Sequence, residues 1–409
     1  MVVFVCVFLL GGLAGAYLAF FKAAGMLTGN TVTERPQQGT PVAWPLRLTR
    51  RITILYIGTD VTYDAKHRVV PVSRADTLIL ASIDPVRRRA TFVSIPRDTR
   101  AVIPGVGTTK VNAAHAFGGV DLTVRAVEQL LGVPVDFYVK MKIEGFIKLI
   151  DLLGGVDVDV ERDMRYVDRW GGININLKKG YQRLNGKQAM DYARFRHEAL
   201  GDIGRVGRQQ KVMRAILERL RTREALFRSA PLIRAMTENT ETNLTPQEIG
   251  ALGWFLVRLP QDHFATHTLP GKFSPGYWEP EWPQIRELIA KEFYAVDPDV
   301  LAEATVEILG PAALARPARE TAQRLERLGF KIARVGTIPE PVDATTVVDR
   351  GGKPEAARLL SAMLGRARVV TEMPQTSPQA ARRGARPNPT ADLVVLLGRD
   401  GANGNANSR

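Results

Sequence analysis

The sequence predicts an α/β protein: a layered α-β-α domain, a smaller α/β domain after it, and one transmembrane helix in front. Three observations carry this prediction. Short β-branched apolar runs alternate with helix-period segments from about residue 52 to 160, which builds a sheet covered on both faces. Near residue 300 the composition shifts, and a second series of short strands and helices begins. No charged residue occurs from Val2 to Phe21, a length that at about 1.5 Å per residue spans a bilayer core of roughly 30 Å. A chain of 409 residues also exceeds what one hydrophobic core usually holds.

Taken in order, residues 1–22 read as a membrane anchor, with a cleaved signal peptide as the alternative. The apolar run is longer than the about 7–15 residues of a signal sequence. Residues 23–48 hold Pro36, Pro41 and Pro45 and read as a linker. The first domain spans 49–296. Residues 52–57 form a buried strand that ends at Gly58, and residues 77–83 and 90–95 form two more, joined as a hairpin through Asp84-Pro85. Asp121 caps a helix to Leu131, stopped by Gly132 and Pro134. A strand at 136–141 precedes a helix at 143–153, whose Ile143, Phe146, Ile147 and Ile150 share one face, and a strand at 156–160 follows. One helix runs from Gly186 to about Arg196, and a longer one begins near Arg205. Thr245, Pro246 and Glu248 mark a helix start by N-cap, first-turn proline and capping box. A strand at 264–269 and a helix at 282–293 close the domain. The second domain spans 301–400, with a loop rich in Pro, Ala and Arg at 374–389, and residues 401–409 read as a disordered tail.

A hydrophobic fraction of 45% fits a folded chain, and the formal charge of +14 calls for anionic partners. Nucleic acid, anionic lipid and phosphorylated substrate all qualify. One cysteine and five histidines exclude a Cys-rich metal site. No Walker-type phosphate loop or Ser/His/Asp motif is present. Lys22, Arg35, Arg47, Arg50 and Arg51 all follow the apolar run, which by the positive-inside rule favours a cytoplasmic location. Cys6 lies within that run, so the remainder is cysteine-free, which suits an extracytoplasmic one.

Between Gly58 and Gln210, arginines and aspartates recur together in turn-like segments. Asp60 follows a strand and a glycine, and Asp76 follows Arg74 at a strand start. Both carboxylates read as Mg²⁺ ligands or as turn-capping groups. Arg97 and Asp98 follow Ile95-Pro96, and the proline fixes the direction in which they leave the strand. Arg97 reads as a phosphate clamp or as a surface partner of Asp98. Arg194 and Arg196 reach one ligand only where their helix stops. Arg205 and Arg208 share a face in the first turn of the next helix, where a bound anion or plain solvation would account for them. His115, His197 and His267 read as structural residues or bases, and the helices from Asp121 and Ile143 as core or as tunnel walls. Converging arginines and aspartates suit a site that holds a pyrophosphate and transfers one of its phosphoryl groups.

The segments LYIGTD, RADTLIL, SIPRDT, KVNAAHAFGG, GGVDVDV, LNGKQAMDYARFRHE, GDIGRVGRQQ and LPGKFSPGYW occur in that order between about residues 52 and 293. Through them the chain resembles the LytR-CpsA-Psr family of envelope phosphotransferases. Residues 305–400, closing in VVLLGRD, are similar to the LytR C-terminal-type domain, with a departure at GPAALARP where an Asn-Gly turn is usual. The resemblance implies transfer of a glycopolymer from a polyprenyl-pyrophosphate carrier to a peptidoglycan hydroxyl, with polyprenyl phosphate released. It implies a lipid tunnel in the α/β domain. It also implies a single-pass protein of the cell membrane, with its N-terminus inside and its catalytic domain outside, and hence a basic tail missing ahead of Met1. On these residues, Mg²⁺ would sit on Asp60 and Asp76. Arg74, Arg97, Arg194, Arg196 and Arg205 would clamp the pyrophosphate, supported by Arg208 and Gln209. Asp98, Asp202 or Asp76 would serve as base. Two other readings compete: a hydrolase using water in the same site, and a membrane-bound transcriptional regulator. Against the regulator, and against any nucleic-acid partner, no helix-turn-helix pattern is present and the arginines pair with aspartates.

Overall fold

The computed structural model describes residues 50–59, 62–63, 69–70, 74–168, 173–195, 207–208, 211–212, 214–216, 218–219, 222, 239–339, 342–365, 367–371 and 391–399. The expected anchor, linker and tail lie outside these, and no helix among the described residues is long and apolar enough to cross a membrane. The chain forms two compact units, Met1–Ile95 with Phe137–Thr268, and Pro96–Asp136 with Leu269–Arg409.

The first unit is built on a mixed six-stranded sheet in the order Thr240–Thr242, Phe137–Lys142, Ile52–Thr59, Ala75–Asp84, Arg89–Ile95, Phe264–Thr268. Ile52–Thr59 runs parallel to Phe137–Lys142 and antiparallel to Ala75–Asp84, which continues into Arg89–Ile95 as the expected hairpin. Every residue of Ile52–Thr59 is buried, because a central strand has neighbours on both edges and cover on both faces. On one face Ile54, Tyr56, Ile79, Ala81 and Phe92 pack with Phe146, Leu149 and Ile150 of the helix Ile143–Leu152 and with Ala189 and Tyr192 of the helix Gly186–Arg194. The two helices meet closely at Gly186, whose N–H donates to Asp151 Oδ1 at 2.7 Å. Asn185 and Gln188 form a capping box there, and Thr245 and Glu248 form the expected one ahead of Pro246–Val257. A long antiparallel ribbon that the sequence reading did not anticipate pairs Val156–Val160 with Gly180–Leu184 and Met164–Asp168 with Ile173–Leu177.

In the second unit, Arg100–Ile103 and Gly107–Lys110 form a hairpin ahead of the helix Ala113–Leu131. That helix starts earlier than the expected Asp121 and is broken inside by Gly118 and Gly119. Gly132 ends it in the left-handed region at φ 64°, its N–H bonded to the Glu128 carbonyl. A second hairpin pairs Gly271–Ser274 with Tyr277–Pro280, and Trp282–Leu288 continues into a π-helical turn, Ile289–Tyr294. The C-terminal part is a five-stranded sheet in the order Lys331–Ile338, Thr305–Pro311, Leu393–Leu396, Thr346–Asp349, Arg368–Val370, with helices Ala315–Arg327 and Pro354–Met363.

Candidate active site

Arg97 and Asp98 stand on a turn in which successive carbonyls are engaged. Thr99 is fully buried and donates its N–H (2.9 Å) and its hydroxyl (2.6 Å) to the Pro96 carbonyl. The Arg97 carbonyl accepts from Asn112 N–H at 3.3 Å, that of Asp98 from Trp278 N–H at 2.9 Å, and that of Thr99 from Val111 N–H at 2.8 Å. Such a turn has little freedom, so the two side chains leave it in fixed directions. They remain accessible, Arg97 at 40% and Asp98 at 35%. Asp98 is paired with Lys110 at 2.8 Å and lies 3.7 Å from Arg97 Nε. The Arg100 guanidinium stacks 3.8 Å over the Tyr277 ring and bonds Glu279 at 2.7 Å. The structure thus brings together a carboxylate, two flanking cations and an arginine-aromatic stack. Lys110, Arg100, Tyr277 and Glu279 were missed in the sequence reading. The signals that could have found them are KVNAAHAFGG, which opens on Lys110, and SPGYW, which holds Tyr277.

In the first unit the register between Ile52–Thr59 and Ala75–Asp84 places Asp76. Gly58 pairs with Thr77, but Thr59 pairs with Ala75, so Asp76 is the extra residue of a bulge. A bulge turns its side chain out of the regular alternation and is a common device beside active sites. Gly58 is suited to it, since a Cβ there would lie 3.0 Å from Thr77 Cβ. Asp76 is half-buried and Arg74, just ahead of the strand, is exposed. Thr59, the residue before Asp60, is thereby set opposite the start of the strand that carries Asp76. Asp60 itself lies outside the described residues, as do Arg196, Asp202, Arg205 and Gln209.

Arg194 ends its helix, two residues short of the expected end at Arg196, and Phe195 leaves it at φ −57°, ψ 129°. Arg208 departs from expectation. Instead of facing a phosphate it is turned inward, 2% exposed, with Nη1 3.2 Å from Glu161 Oε1 and Nη2 donating to the Phe195 carbonyl at 2.6 Å. The physical reason is Glu161, whose carboxylate gives a buried guanidinium its counter-charge. Glu161 also accepts from the Tyr192 hydroxyl at 2.7 Å and from Lys211 at 3.1 Å. Burial pushes its carboxyl up, but Tyr192, its own backbone N–H, Lys211 and Arg208 more than offset this and hold it down at about 2. Burial and the bond to Glu161 push the Tyr192 hydroxyl up, so it stays a donor. Among the described residues no group of three or more His, Cys, Asp or Glu gathers to cage a metal ion.

The model of the LytR_cpsA_psr family matches residues 19–292. The chain belongs to this family. Residues 303–400 match a second model, described as LytR cell envelope-related transcriptional attenuator. Among relatives in the family, TagU of Bacillus cereus, named a polyisoprenyl-teichoic acid–peptidoglycan teichoic acid transferase, is 35% identical over 200 residues, 48% of this chain and 62% of that protein. TagV of Bacillus subtilis, with the same name for its activity, is 39% identical over 197 residues, 47% of this chain and 49% of that protein. The regulatory protein MsrR of Staphylococcus aureus is 38% identical over 174 residues, 42% of this chain and 50% of that protein. The chain therefore spans between about half and three fifths of the length of these curated relatives. The crystal structure of B. subtilis TagV superposes with a TM-score of 0.50 at 31% identity, covering 61% of this chain and 99% of that one. A Streptococcus agalactiae protein, gbs0355, gives 0.52 at 24% identity over 60% of this chain and 89% of that one, a likeness of fold.

Proposed function

We propose that this chain transfers a glycopolymer from a polyprenyl-pyrophosphate carrier to a peptidoglycan hydroxyl. The observation that carries the reading is the Arg97–Asp98 turn, a guanidinium and a carboxylate held on a rigid, accessible corner. The names of TagU and TagV support the substrate class. In the proposed step the acceptor oxygen forms a bond to the sugar-side phosphorus. The bond from that phosphorus to the bridging oxygen breaks, polyprenyl phosphate leaves, and the acceptor's proton passes to a carboxylate, for which Asp98, Asp76 and Asp202 are the candidates. Arg74, Arg97, Arg194, Arg196 and Arg205, with Gln209, would hold the pyrophosphate and meet the charge that grows on the leaving group.

The donor set fits Mg²⁺: this ion takes one or two carboxylates and completes its shell with phosphate oxygens and water, so a closed protein cage is not needed. Asp60 and Asp76 would hold it, and when bound it would neutralise charge on the pyrophosphate. We further propose that residues 1–22 anchor the chain in the cell membrane, with both domains outside.

The test uses the full chain in detergent with a short-chain polyprenyl-pyrophosphoryl sugar, with and without Mg²⁺ and peptidoglycan, and follows polyprenyl monophosphate by mass spectrometry. Mg²⁺-dependent release with phosphosugar appearing on the wall is the expected result. Release without acceptor would replace the transferase with a hydrolase, and a wall that never acquires label would remove the reading.

A further inference from the structure

Glu161, Tyr192, Arg208 and Lys211 form a cluster to which the proposed chemistry gives no part. Its attachments surround one residue that does have a part. Tyr192, inside the helix Gly186–Arg194, donates to Glu161 Oε2 at 2.7 Å. Phe195, the residue after the helix, gives its carbonyl to Arg208 Nη2 at 2.6 Å. Glu161 and Arg208 are themselves joined at 3.2 Å. The helix end is therefore held at two points, and Arg194 lies between them. The Phe195 ring is also flanked by guanidinium groups, Arg208 at 5.5 Å and Arg162 at 5.8 Å from its centroid.

We propose that Arg208 is a positioning residue: anchored on Glu161, it fixes the Phe195 carbonyl and so aims Arg194 at the pyrophosphate. The inference rests on the transferase reading above. Three physical points support it. A guanidinium is a rigid planar fork, so bonds to Glu161 and Phe195 determine its orientation as well as its place. At 2% exposure it does not present itself to a solvent-borne ligand. A buried cation tied to a carboxylate is costly to unpair, which makes the strut stiff. Phosphate clamps need such support, because a shift of about 1 Å in a binding group can cost about a hundredfold in rate. Arg208 lies in a helical stretch at 207–208, so its side chain ties that stretch to the residue that leaves the helix Gly186–Arg194.

The test is a double-mutant cycle on the full chain in detergent. Arg208→Lys and Glu161→Gln are made alone and with Arg194→Ala, and kcat and KM are read from polyprenyl monophosphate release. Lysine keeps the charge and loses the fork. Arg208→Lys should lower kcat/KM by about a hundredfold while the chain still melts cooperatively. In the Arg194→Ala background the same change should cost less than about threefold, because the group it aims is gone. Losses that multiply instead, as a merely structural role gives, would overturn the inference, as would Arg208→Lys with wild-type kinetics. If Arg208→Lys does not fold, Glu161→Gln at its partly exposed position decides by the same criterion. An active wild-type chain with multiplying losses overturns the positioning role alone. An inactive wild-type chain that also fails to bind the pyrophosphoryl sugar overturns the transferase reading and this inference together.

Discussion

Two glycines of the first unit should respond to alanine in opposite directions. A Cβ on Gly186 would overlap the carbonyl oxygen of Ile147 and lie 2.7 Å from its carbonyl carbon and 2.8 Å from its Cα. Carbon atoms rest at about 3.5–4.0 Å, so the helices Ile143–Leu152 and Gly186–Arg194 must part by roughly 1 Å. The obstacle is backbone, which no rotamer change relieves. Overpacking of this kind costs about 1–3 kcal/mol. Separation also stretches the 2.7 Å bond from Gly186 N–H to Asp151, a charged hydrogen bond worth about 1.5–3 kcal/mol. The better helix propensity of alanine returns at most about 1 kcal/mol. The net loss is about 2 kcal/mol or more, which at about 2–4 °C per kcal/mol lowers Tm by at least about 4 °C. Gly207 is helical, exposed, and has nothing within 4 Å of its missing Cβ. Gly207→Ala should leave Tm unchanged or raise it by about 1–4 °C, through a gain of about 0.5–1 kcal/mol. Both glycines belong to the same compact unit, so thermal melts of the full chain compare them within one transition. Equal shifts, or a Gly186→Ala chain that melts with wild type, would refute the close helix contact.

Arg97→Ala should reduce kcat by about 100- to 1,000-fold without moving Tm, because its exposed pairing with Asp98 is worth under about 1 kcal/mol; normal turnover would remove Arg97 from the site. Asp76→Asn should shift the Mg²⁺ titration of activity upward by at least about tenfold, the usual cost of even an outer partner of a bound metal, and an unchanged titration would assign Asp76 to the bulge alone. Glu161 binds its proton more weakly in the folded chain, at about 2 against an ordinary 4.5, so its stabilisation is full above pH 4.5 and is lost as pH falls toward 2. The Tm gap between wild type and Glu161→Gln should therefore narrow from pH 7 to pH 3, and a constant gap would show that the carboxylate's charge is not what stabilises.

The elements legible in the sequence were those whose pattern reports burial directly. The apolar run that became Ile52–Thr59 and the hairpin after it needed only periodicity, and the helix at Pro246–Val257 only its capping residues. The four-residue strands of the Arg100–Ile103 and Gly271–Ser274 hairpins were not legible. They are too short to show alternation, and pairing holds them together more than composition does. Lys110, Arg100, Tyr277 and Glu279 went unseen for the same reason. The Arg97–Asp98 corner was legible because Pro96 announces it. Arg208 was misjudged because the residue that draws it inward, Glu161, lies 47 positions earlier and carries no local mark.

The Arg97–Asp98 turn is closed by parts of the chain made far apart in time. Trp278 bonds the Asp98 carbonyl, and Glu279 holds Arg100 from 179 residues away. A ribosome that has already released Arg97 into the nascent chain has not yet built the corner that gives it a direction. Closing so distant a contact is slow and comes late in folding. The chemistry proposed for this corner is thus withheld from a partly synthesised chain, and competence arrives when the strand bearing Trp278 does.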